Sequence, residues 1–313
     1  MESTFIKSAN IRPFNGPDQE YHLNKEYVSA SSLKRLKVSP AHYKEEDEMG
    51  ETDALLFGSA YHCFILEPDK FDKEYYIFDD SVVCGALIAK GAKSPRATND
   101  YKTWLAGEQS FSDGKILIDK ADYDRLVAMK ERLFRHPYAR MLLSNGVNEQ
   151  SYMGEIDTEA GLIKVKFKPD HVNDNKKIIV DLKTTIDASK DEFPKHAAGL
   201  NYHIQASFYA DLMEKVSGDD RPYTFFFIAQ EKKKPFAFNI FESSPQFIAQ
   251  GRFEYEMLLQ LYKFCTDNDS WPGYQIWCEN KYGILELKLP AWAIKDLTYY
   301  DHQNRVSKQK QLN

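Results

Sequence analysis

A short apolar run that ends in charged residues constrains this chain more than any other feature of its sequence. Residues 178–180 read Ile-Ile-Val, the composition of a buried β-strand, and Asp181, Leu182 and Lys183 follow at once. Because side chains alternate between the two faces of a strand, we expect Asp181 and Lys183 on one face and Leu182 on the other. Asp170 ends the preceding predicted strand. The sequence therefore predicts a β-sheet that brings two aspartates and a lysine together.

The pairing of two aspartates in one place indicates a bound cation. Desolvated carboxylates repel each other, so Asp170 and Asp181 would share a site most readily with a divalent metal ion between them. Such an ion polarises a phosphate and generates hydroxide, while Lys183 would position the attacking water or offset developing charge. The arrangement suits the cutting of a phosphodiester. The alternative is that these three side chains are solvated groups at strand ends, since an Asp-x-Lys pattern is common by chance.

The overall composition excludes several classes of protein. The chain has 313 residues, of which 42% are hydrophobic and 14% aromatic, so we expect an ordered protein with one large domain or two small ones. No run approaches the roughly 18 apolar residues of a membrane span, and the N-terminus lacks a signal-peptide pattern, which predicts a cytoplasmic protein without a membrane partner. The net charge of −6 argues against non-specific coating of nucleic acid, although a local basic lining could still serve a nucleic-acid enzyme.

Periodicity and turn signals predict one α/β domain. We expect an N-terminal arm at 1–26, a single domain with helical insertions at 27–300 and a polar tail at 301–313. The segment 82–97 lacks clear periodicity and is predicted to be a mobile loop. Helices are expected over 53–66, 98–106, 120–144, 188–216 and 246–268, and strands over 147–157, 162–170, 176–183, 223–230 and 236–242.

Two further side chains could add ligands to the site. Glu149 lies on an adjacent predicted strand and could supply a third carboxylate, but Glu155 shares its parity, so the choice between them stays open. His62 lies one turn beyond Gly58 on a predicted helix, where Gly58 and Ala60 would permit close approach. The imidazole could ligate a metal, although a lone histidine on an apolar helix is more often a hydrogen-bonded core residue.

Gln205 and Tyr209 form a second polar pair near the predicted site. They lie four positions apart on a predicted helix and therefore project from one face in successive turns. Their amide and phenol could bind a phosphate or brace Lys183. The alternative is an ordinary half-buried helix face.

Three lysines, Lys164, Lys166 and Lys168, alternate along the strand that leads to Asp170, so they are expected on one face. They could form a track for the DNA backbone that leads to the metal. Equally, they could be a solubilising stripe on an antiparallel edge.

Taken in chain order, these motifs resemble those of the PD-(D/E)XK nuclease superfamily. The motifs are Gly58-x-x-x-His62, a glutamate near 149, Pro169-Asp170, Asp181-Leu182-Lys183-Thr184-Thr185 and Gln205-x-x-x-Tyr209. Within the superfamily, the chain is similar to the RecE-like exonucleases of phages and prophages (exodeoxyribonuclease VIII type), which are related to lambda exonuclease and to RecB nuclease domains. The segment 28–43 also resembles the N-terminal part of these nucleases, so the similarity runs from about residue 27 to about residue 265.

The resemblance implies a fold and an activity. The fold is a restriction-endonuclease-like core, an α/β structure with a central mixed β-sheet flanked by helices. The activity is digestion of linear double-stranded DNA, usually 5′ to 3′, which leaves 3′ single strands for a strand-annealing protein in recombination. Relatives are often ring-shaped homo-oligomers, and the compartment implied is the cytoplasm of a bacterial host. A structure-specific or restriction-type endonuclease and a catalytically silent DNA-binding module are the alternatives.

By position, the resemblance also implies residue roles. Four groups would hold Mg²⁺, with Mn²⁺ as a substitute: His62, Asp170, Asp181 and the carbonyl of Leu182. Glu149 would lie near the water network, and Lys183 would orient or activate the nucleophile. Gln205 and Tyr209 would support the site.

Cysteine spacing departs from one branch of this superfamily. Several RecB-like relatives carry an iron–sulfur cluster on one upstream cysteine and three clustered C-terminal ones. Here Cys265 and Cys278 are the C-terminal cysteines and lie too far apart for that pattern, so no iron–sulfur cluster is expected. Cys63 and Cys84 add no Cys-x-x-Cys spacing, which argues against a zinc ribbon or a disulfide framework.

Overall fold

The computed structural model describes residues 4–45, 52–219, 221–278, 283–290 and 293. The chain divides into two compact units, Met1–Trp271 and Pro272–Asn313. The strands and α-helices of the described residues lie in the first unit, and those of the second include a short 3₁₀-helix, Tyr274–Trp277. The predicted tail at 301–313 lies outside the described residues, and the division into arm, single domain and tail stays a prediction.

The elements of the described residues are as follows. The strands are β1 (Ile6–Phe14), β2 (Tyr75–Phe78), β3 (Ile116–Asp119), β4 (Val147–Asn148), β5 (Ser151–Thr158), β6 (Gly161–Phe167), β7 (His171–Asn173), β8 (Ile178–Thr185), β9 (Thr224–Glu231) and β10 (Phe238–Glu242). The helices are α1 (Asp18–Leu23), α2 (Ala30–Val38), α3 (Pro40–Lys44), α4 (Asp53–Leu66), α5 (Pro68–Glu74), α6 (Ser81–Ala89), α7 (Asn99–Phe111), α8 (Lys120–Phe134), α9 (Pro137–Leu142), α10 (Phe193–Gly199), α11 (Tyr202–Ser217) and α12 (Pro245–Asp267). Among these helices, none has both the length and the apolar character needed to cross a membrane.

A mixed five-stranded sheet forms the centre of the first unit, in the order β10-β9-β8-β7-β4. β8 and β9 run parallel, whereas the other neighbours are antiparallel. A parallel pair needs a crossover connection, and α10 and α11 provide it. A separate antiparallel sheet has the order β1-β5-β6, and β2 pairs in parallel with β3. The predicted fold class, a central mixed sheet flanked by helices, is confirmed.

Alternation along β8 sends apolar side chains into a core on each face of the central sheet. Ile179 packs in one cluster with Phe225 of β9 and with residues of α11 and α12. Val180 and Leu182 pack in the other cluster, which includes residues of α4 and α8. Burial on both faces explains why this strand reads as a continuous apolar run rather than an alternating one. Helices therefore cover both faces of the strand that carries Asp181.

α11 and α12 cross closely because position 251 carries no side chain. A Cβ at Gly251 would overlap the carbonyl oxygen of His203. Beside this crossing, Ser207 Oγ donates a hydrogen bond to the carbonyl oxygen of Ile248 at 2.8 Å. The crossing fixes the position of α11, which carries two of the predicted site residues.

Most predicted elements are confirmed within a few residues, but the predicted mobile loop at 82–97 is wrong. α6 occupies the first half of that segment, and Pro95–Ala97 forms a 3₁₀-turn. Leu87 is the one buried residue among the described residues of α6, so the helix shows no amphipathic periodicity. The segment is held instead by Arg96, whose guanidinium contacts Asp80 at 2.8 Å and Asp119 at 3.0 Å.

Candidate active site

A cleft opens where β8 leaves the apolar core, and it has a volume of about 770 Å³. Its lining includes His62 from α4, Glu149 from the β4–β5 junction, Asp170 from the segment before β7, and Leu182 and Lys183 from β8. Side chains from four separate parts of the chain therefore meet at one opening.

His62, Glu149 and Asp170 form a group of possible metal ligands. One ligand atom from each lies within 4.8 Å of the other two. His62 Nδ1 lies 3.3 Å from Asp170 Oδ2 and 3.8 Å from Glu149 Oε1. One imidazole nitrogen and two carboxylate oxygens make a donor set that suits a divalent cation.

A turn of the backbone places Glu149 in this group. Glu149 lies between β4 and β5, not within a strand, and has a left-handed φ of 51°. Its N–H donates to the carbonyl oxygen of Asp170 at 3.0 Å, and its carboxylate lies 3.2 Å from Lys168 Nζ. Glu155 instead lies inside β5, opposite Lys164 of β6. The structure therefore brings Glu149 to the cleft, because of the break between β4 and β5 rather than strand parity.

Asp170 is buried among charges, and this sets its ionisation. The residue is 8% exposed, and its Oδ2 accepts a hydrogen bond from the N–H of Leu182 at 2.7 Å. Burial raises the pKa of Asp170 to about 7; His62 opposes the rise and Asp181 adds to it. Near neutral pH, Asp170 therefore ionises fully when a cation compensates its charge.

His62 supplies positive charge to the two carboxylates. Burial disfavours the imidazolium, but the charges of Asp170 and Glu149 outweigh burial and raise the pKa of His62 to about 9. Burial likewise favours the neutral form of Glu149, yet His62 and Lys168 hold the pKa of Glu149 below its ordinary value. A metal cation and the His62 proton would therefore compete for the same place.

Asp181 and Lys183 lie on the same face of β8, as the alternation predicts. Lys183 Nζ contacts both carboxylate oxygens of Asp181, at 2.6 Å for Oδ2. Asp181 is 1% exposed, and Gln205 Nε2 donates to its two oxygens at 3.3 Å each. Burial disfavours the ammonium of Lys183, but Asp181 and Asp170 raise the pKa of Lys183 to about 12. Lys183 is therefore a fixed cation beside the ligand group.

The two predicted residues of α11 have different surroundings. Gln205 contacts Asp181, so it braces the acid rather than the lysine. Tyr209 packs against Phe167 with ring centroids 5.6 Å apart, and burial raises the pKa of its phenol well above the ordinary value. A backbone hydrogen bond joins Tyr209 to Lys168. Tyr209 thus supports the segment that leads to Asp170.

The expectation that Gly58 permits close packing of its helix is wrong. The nearest described atom to a Cβ at this position would be Thr184 Oγ1, at 3.9 Å, which is an ordinary contact. Gly58 lines the cleft, so the missing side chain leaves space in the cleft rather than in the core.

The three lysines along β6 and after it, offered as a DNA track or a solubilising stripe, have three different environments. Lys166 is buried and donates to the carbonyl oxygens of Tyr21 at 2.6 Å and Asn24 at 2.8 Å. Lys164 forms an ion pair at the surface. Of these three described lysines, Lys168 lines the cleft. The residues of α1 cover the middle of the stripe, which turns Lys166 into a structural group.

Lys34 and Tyr202 join the site without having been assigned to it from the sequence. Two ammonium groups lie over the ring of Tyr202, with Lys34 Nζ at 5.0 Å and Lys183 Nζ at 4.9 Å from its centroid. Burial, and then repulsion by Lys183, lower the pKa of Lys34 to about 8. Lys34 falls in the segment 28–43 that resembles the N-terminal part of RecE-like nucleases, and that resemblance was the available signal.

A family model matches residues 29–282, and its description is "PDDEXK-like domain of unknown function (DUF3799)". The match covers well over half of the chain and includes each residue of the cleft named above. The chain belongs to this family. The PDDEXK-like domain thus confirms the superfamily that the motifs resemble.

Solved structures add evidence on the fold of the PDDEXK-like domain. A candidate exonuclease from Eubacterium rectale is similar with a TM-score of 0.56 at 20% identity, over 91% of this chain and 98% of that chain. At this identity the likeness shows the fold alone. The structure of SSO0001 is 16% identical over 79% of this chain and 88% of that chain, and its TM-score of 0.28 is too low to show a shared fold. A search of curated proteins found no match.

Proposed function

We propose that this PDDEXK-like protein is a metal-dependent deoxyribonuclease that digests linear double-stranded DNA. One observation carries the proposal: ligand atoms of His62, Glu149 and Asp170 lie within 4.8 Å of one another, next to the ion pair of the buried Asp181 and the half-buried Lys183. Two buried carboxylates, Asp170 and Asp181, and the half-buried Glu149 cost stability unless they are compensated, so a structural role alone gives no reason to gather the three. Binding a cation and a phosphodiester does.

Mg²⁺, with Mn²⁺ as a substitute, is the ion proposed for this group. Carboxylate and carbonyl oxygens are ligands that suit both ions. Beside His62, Glu149 and Asp170, we assign Asp181 and the carbonyl of Leu182 to the same site, as the resemblance implies. The ion supplies polarisation of the phosphate and lowers the pKa of water.

The chain's own groups would hold the reactants in place. The N–H of Leu182 orients Asp170, and the amide of Gln205 orients Asp181, so both carboxylates are positioned before substrate arrives. Lys183 keeps its proton at neutral pH and offsets the negative charge that develops on the phosphate. Tyr209 supports the segment before Asp170 from behind.

Five further properties of the proposed nuclease rest on the resemblance to RecE-like exonucleases. They are attack at DNA ends, the 5′ to 3′ direction, delivery of 3′ single strands to a strand-annealing protein, a ring-shaped homo-oligomer and a cytoplasmic site of action in a bacterial host. The description of the Eubacterium rectale protein as a candidate exonuclease agrees with the first of these.

Matched linear and covalently closed plasmid DNA, incubated with the protein and Mg²⁺, test this proposal. We expect loss of the linear form alone. Cleavage of both forms would replace the exonuclease by an endonuclease, and intact DNA in both samples would leave a silent DNA-binding module.

Two variants test the site itself. Asp181→Ala should abolish hydrolysis, whereas Asp191→Ala, which removes an exposed carboxylate, should leave the rate unchanged. Lys183→Ala should lower kcat by orders of magnitude, with the exposed Lys190→Ala as its control. Hydrolysis at the wild-type rate by Asp181→Ala would contradict the site assignment.

A further inference from the structure

A second hollow lies next to the cleft, at Lys168. It has a volume of about 710 Å³. Its lining shares His22 and Lys168 with the lining of the cleft, so the two openings adjoin. Lys168 also contacts Glu149 at 3.2 Å, which connects the hollow to the proposed metal ligands. The remaining lining is mainly of two kinds, cationic and aromatic.

Positive charge dominates this hollow. The cationic side chains are Lys25, Arg35, Lys44, Lys166 and Lys168. Among the described residues, no Asp or Glu side chain lines the hollow, although the whole chain has a net charge of −6. Lys166 turns its ammonium toward backbone carbonyls, so it adds positive potential to the hollow without contacting a ligand directly. A cavity lined by one sign of charge attracts a ligand of the other sign, and here that ligand is an anion.

Tyrosine and tryptophan rings are the second main component of the lining. They are Tyr21, Tyr27, Tyr43, Tyr209, Tyr262 and Trp271. Tyr43 and Trp271 stack with centroids 5.4 Å apart and an interplanar angle of 6°, and Lys44 Nζ lies 5.1 Å from the Trp271 centroid. Aromatic rings interleaved with cations bind single-stranded nucleic acid, because bases stack on the rings while phosphates meet the cations.

We propose that this hollow binds a single-stranded stretch of the DNA that the cleft digests. The proposal rests on the proposed nuclease function, since it assigns both openings to one substrate. A single strand fits better than a duplex, because a duplex keeps its base faces stacked inside and cannot offer them to Tyr27 or Trp271. The shared lining at His22 and Lys168 gives this strand a continuous path to the ligand group.

Binding of a short fluorescent oligothymidylate, measured by anisotropy in EDTA, tests the hollow without hydrolysis. Trp271→Ala and Tyr27→Ala should each weaken binding about tenfold, whereas Trp271→Phe, which keeps a ring, should bind nearly as well as wild type. Tyr138→Ala removes an exposed ring outside both openings and is the matched control. Melting temperatures verify that each variant is folded.

Salt dependence tests the cations separately. Replacing Lys25 and Lys44 by Gln should make the slope of log K against log salt shallower by about 0.7 for each lysine. Lys190→Gln, at a highly exposed position outside the hollow, should leave the slope unchanged.

The outcomes separate this proposal from the nuclease function. If the folded variants bind oligothymidylate with unchanged affinity and unchanged salt dependence, the proposal is overturned, even if the wild-type protein digests linear plasmid. If thymidine monophosphate competes for the hollow as strongly as unlabelled oligothymidylate does, the proposal of a bound strand is overturned and the hollow is a site for a free nucleotide. Binding that depends on these residues, in a protein that digests no plasmid, would overturn the nuclease function and leave a single-strand binding site.

Discussion

The N–H of Leu182 donates a 2.7 Å hydrogen bond to Oδ2 of Asp170. The bond joins the segment before β7 to β8 where the apolar run of that strand stops. It holds the Asp170 carboxylate from one side, and a carboxylate has further lone pairs that can bind a cation. A backbone group of the central sheet therefore positions the acid on which the proposed metal site depends.

Asp170→Asn should abolish Mg²⁺-dependent hydrolysis and preserve the fold. An amide oxygen can still accept from Leu182, but it carries no charge for a cation. Asp170→Ala should in addition lower the melting temperature, because the buried N–H of Leu182 loses its acceptor at a cost of about 1–3 kcal/mol. Plasmid digestion and thermal melts of both variants measure this. If Asp170→Ala melts at or above Asp170→Asn, the hydrogen bond lacks the role given to it.

Glu149→Gln should weaken metal binding, and Glu155→Gln should not. Glu149 is within reach of His62 and Asp170, whereas Glu155 lies inside β5. Loss of a group that only orients a metal ligand lowers metal affinity by about 10–100-fold, so we expect at least that loss for the proposed ligand in Glu149→Gln. Titration calorimetry with Mn²⁺ compares the two variants. Equal affinities would remove Glu149 from the ligand group.

With metal removed by EDTA, the free energy of unfolding should fall as the pH rises from 6.5 to about 9. The pKa of His62 rises from 6.5 to about 9 in the folded protein, because Asp170 and Glu149 outweigh the effect of burial. The folded state then binds this proton more tightly than the unfolded chain does. Its stabilisation is complete below pH 6.5 and is lost as the pH passes through about 9.

Urea midpoints across this range measure the effect in the wild-type protein and in His62→Gln. Burial raises the pKa of Asp170 from 3.8 to about 7, so Asp170 adds a separate fall in the free energy of unfolding as the pH rises between these two values. The His62→Gln profile should therefore be flatter between pH 7 and 9 than that of the wild-type protein. Parallel profiles would show that His62 does not carry this charge.

Lys166→Met should destabilise the fold by about 2–4 kcal/mol, because the carbonyls of Tyr21 and Asn24 lose a charged donor in a buried place. Lys164→Met changes the neighbouring exposed lysine and should leave the urea midpoint unchanged. Chemical denaturation of both variants is the measurement. A midpoint for Lys166→Met equal to that of the wild-type protein would return Lys166 to the surface stripe.

Local pattern was sufficient for β8 and the elements around it. Asp181 and Lys183 share a face because alternation is a property of any extended backbone. The hairpin of β5 and β6 turns at Glu159 and Ala160, directly before Gly161, whose positive φ of 115° favours glycine. The long helix α12 follows from its periodicity. Each of these features depends on residues that are neighbours in sequence, so one sequence contains the information.

Backbone irregularity lay outside such patterns. Glu149 reaches the cleft through a left-handed turn that is stabilised by its bond to Asp170, and strand parity treats Glu149 and Glu155 alike. Arg96 ties the segment after α6 to Asp80 and Asp119, and hydrophobic periodicity does not register such ion pairs.

The roles of individual charges were decided by the tertiary structure. Lys166 and Lys168 belong to one stripe in the sequence, yet α1 buries the first and leaves the second at the junction of the cleft and the hollow. Lys34 comes to lie over the same ring as Lys183, about 150 positions away in the chain. Electrostatic energy depends on separation and burial in space, not on spacing along the chain. For that reason the sequence could name the acids and the lysine of the site, but only folding could show which charges compensate them.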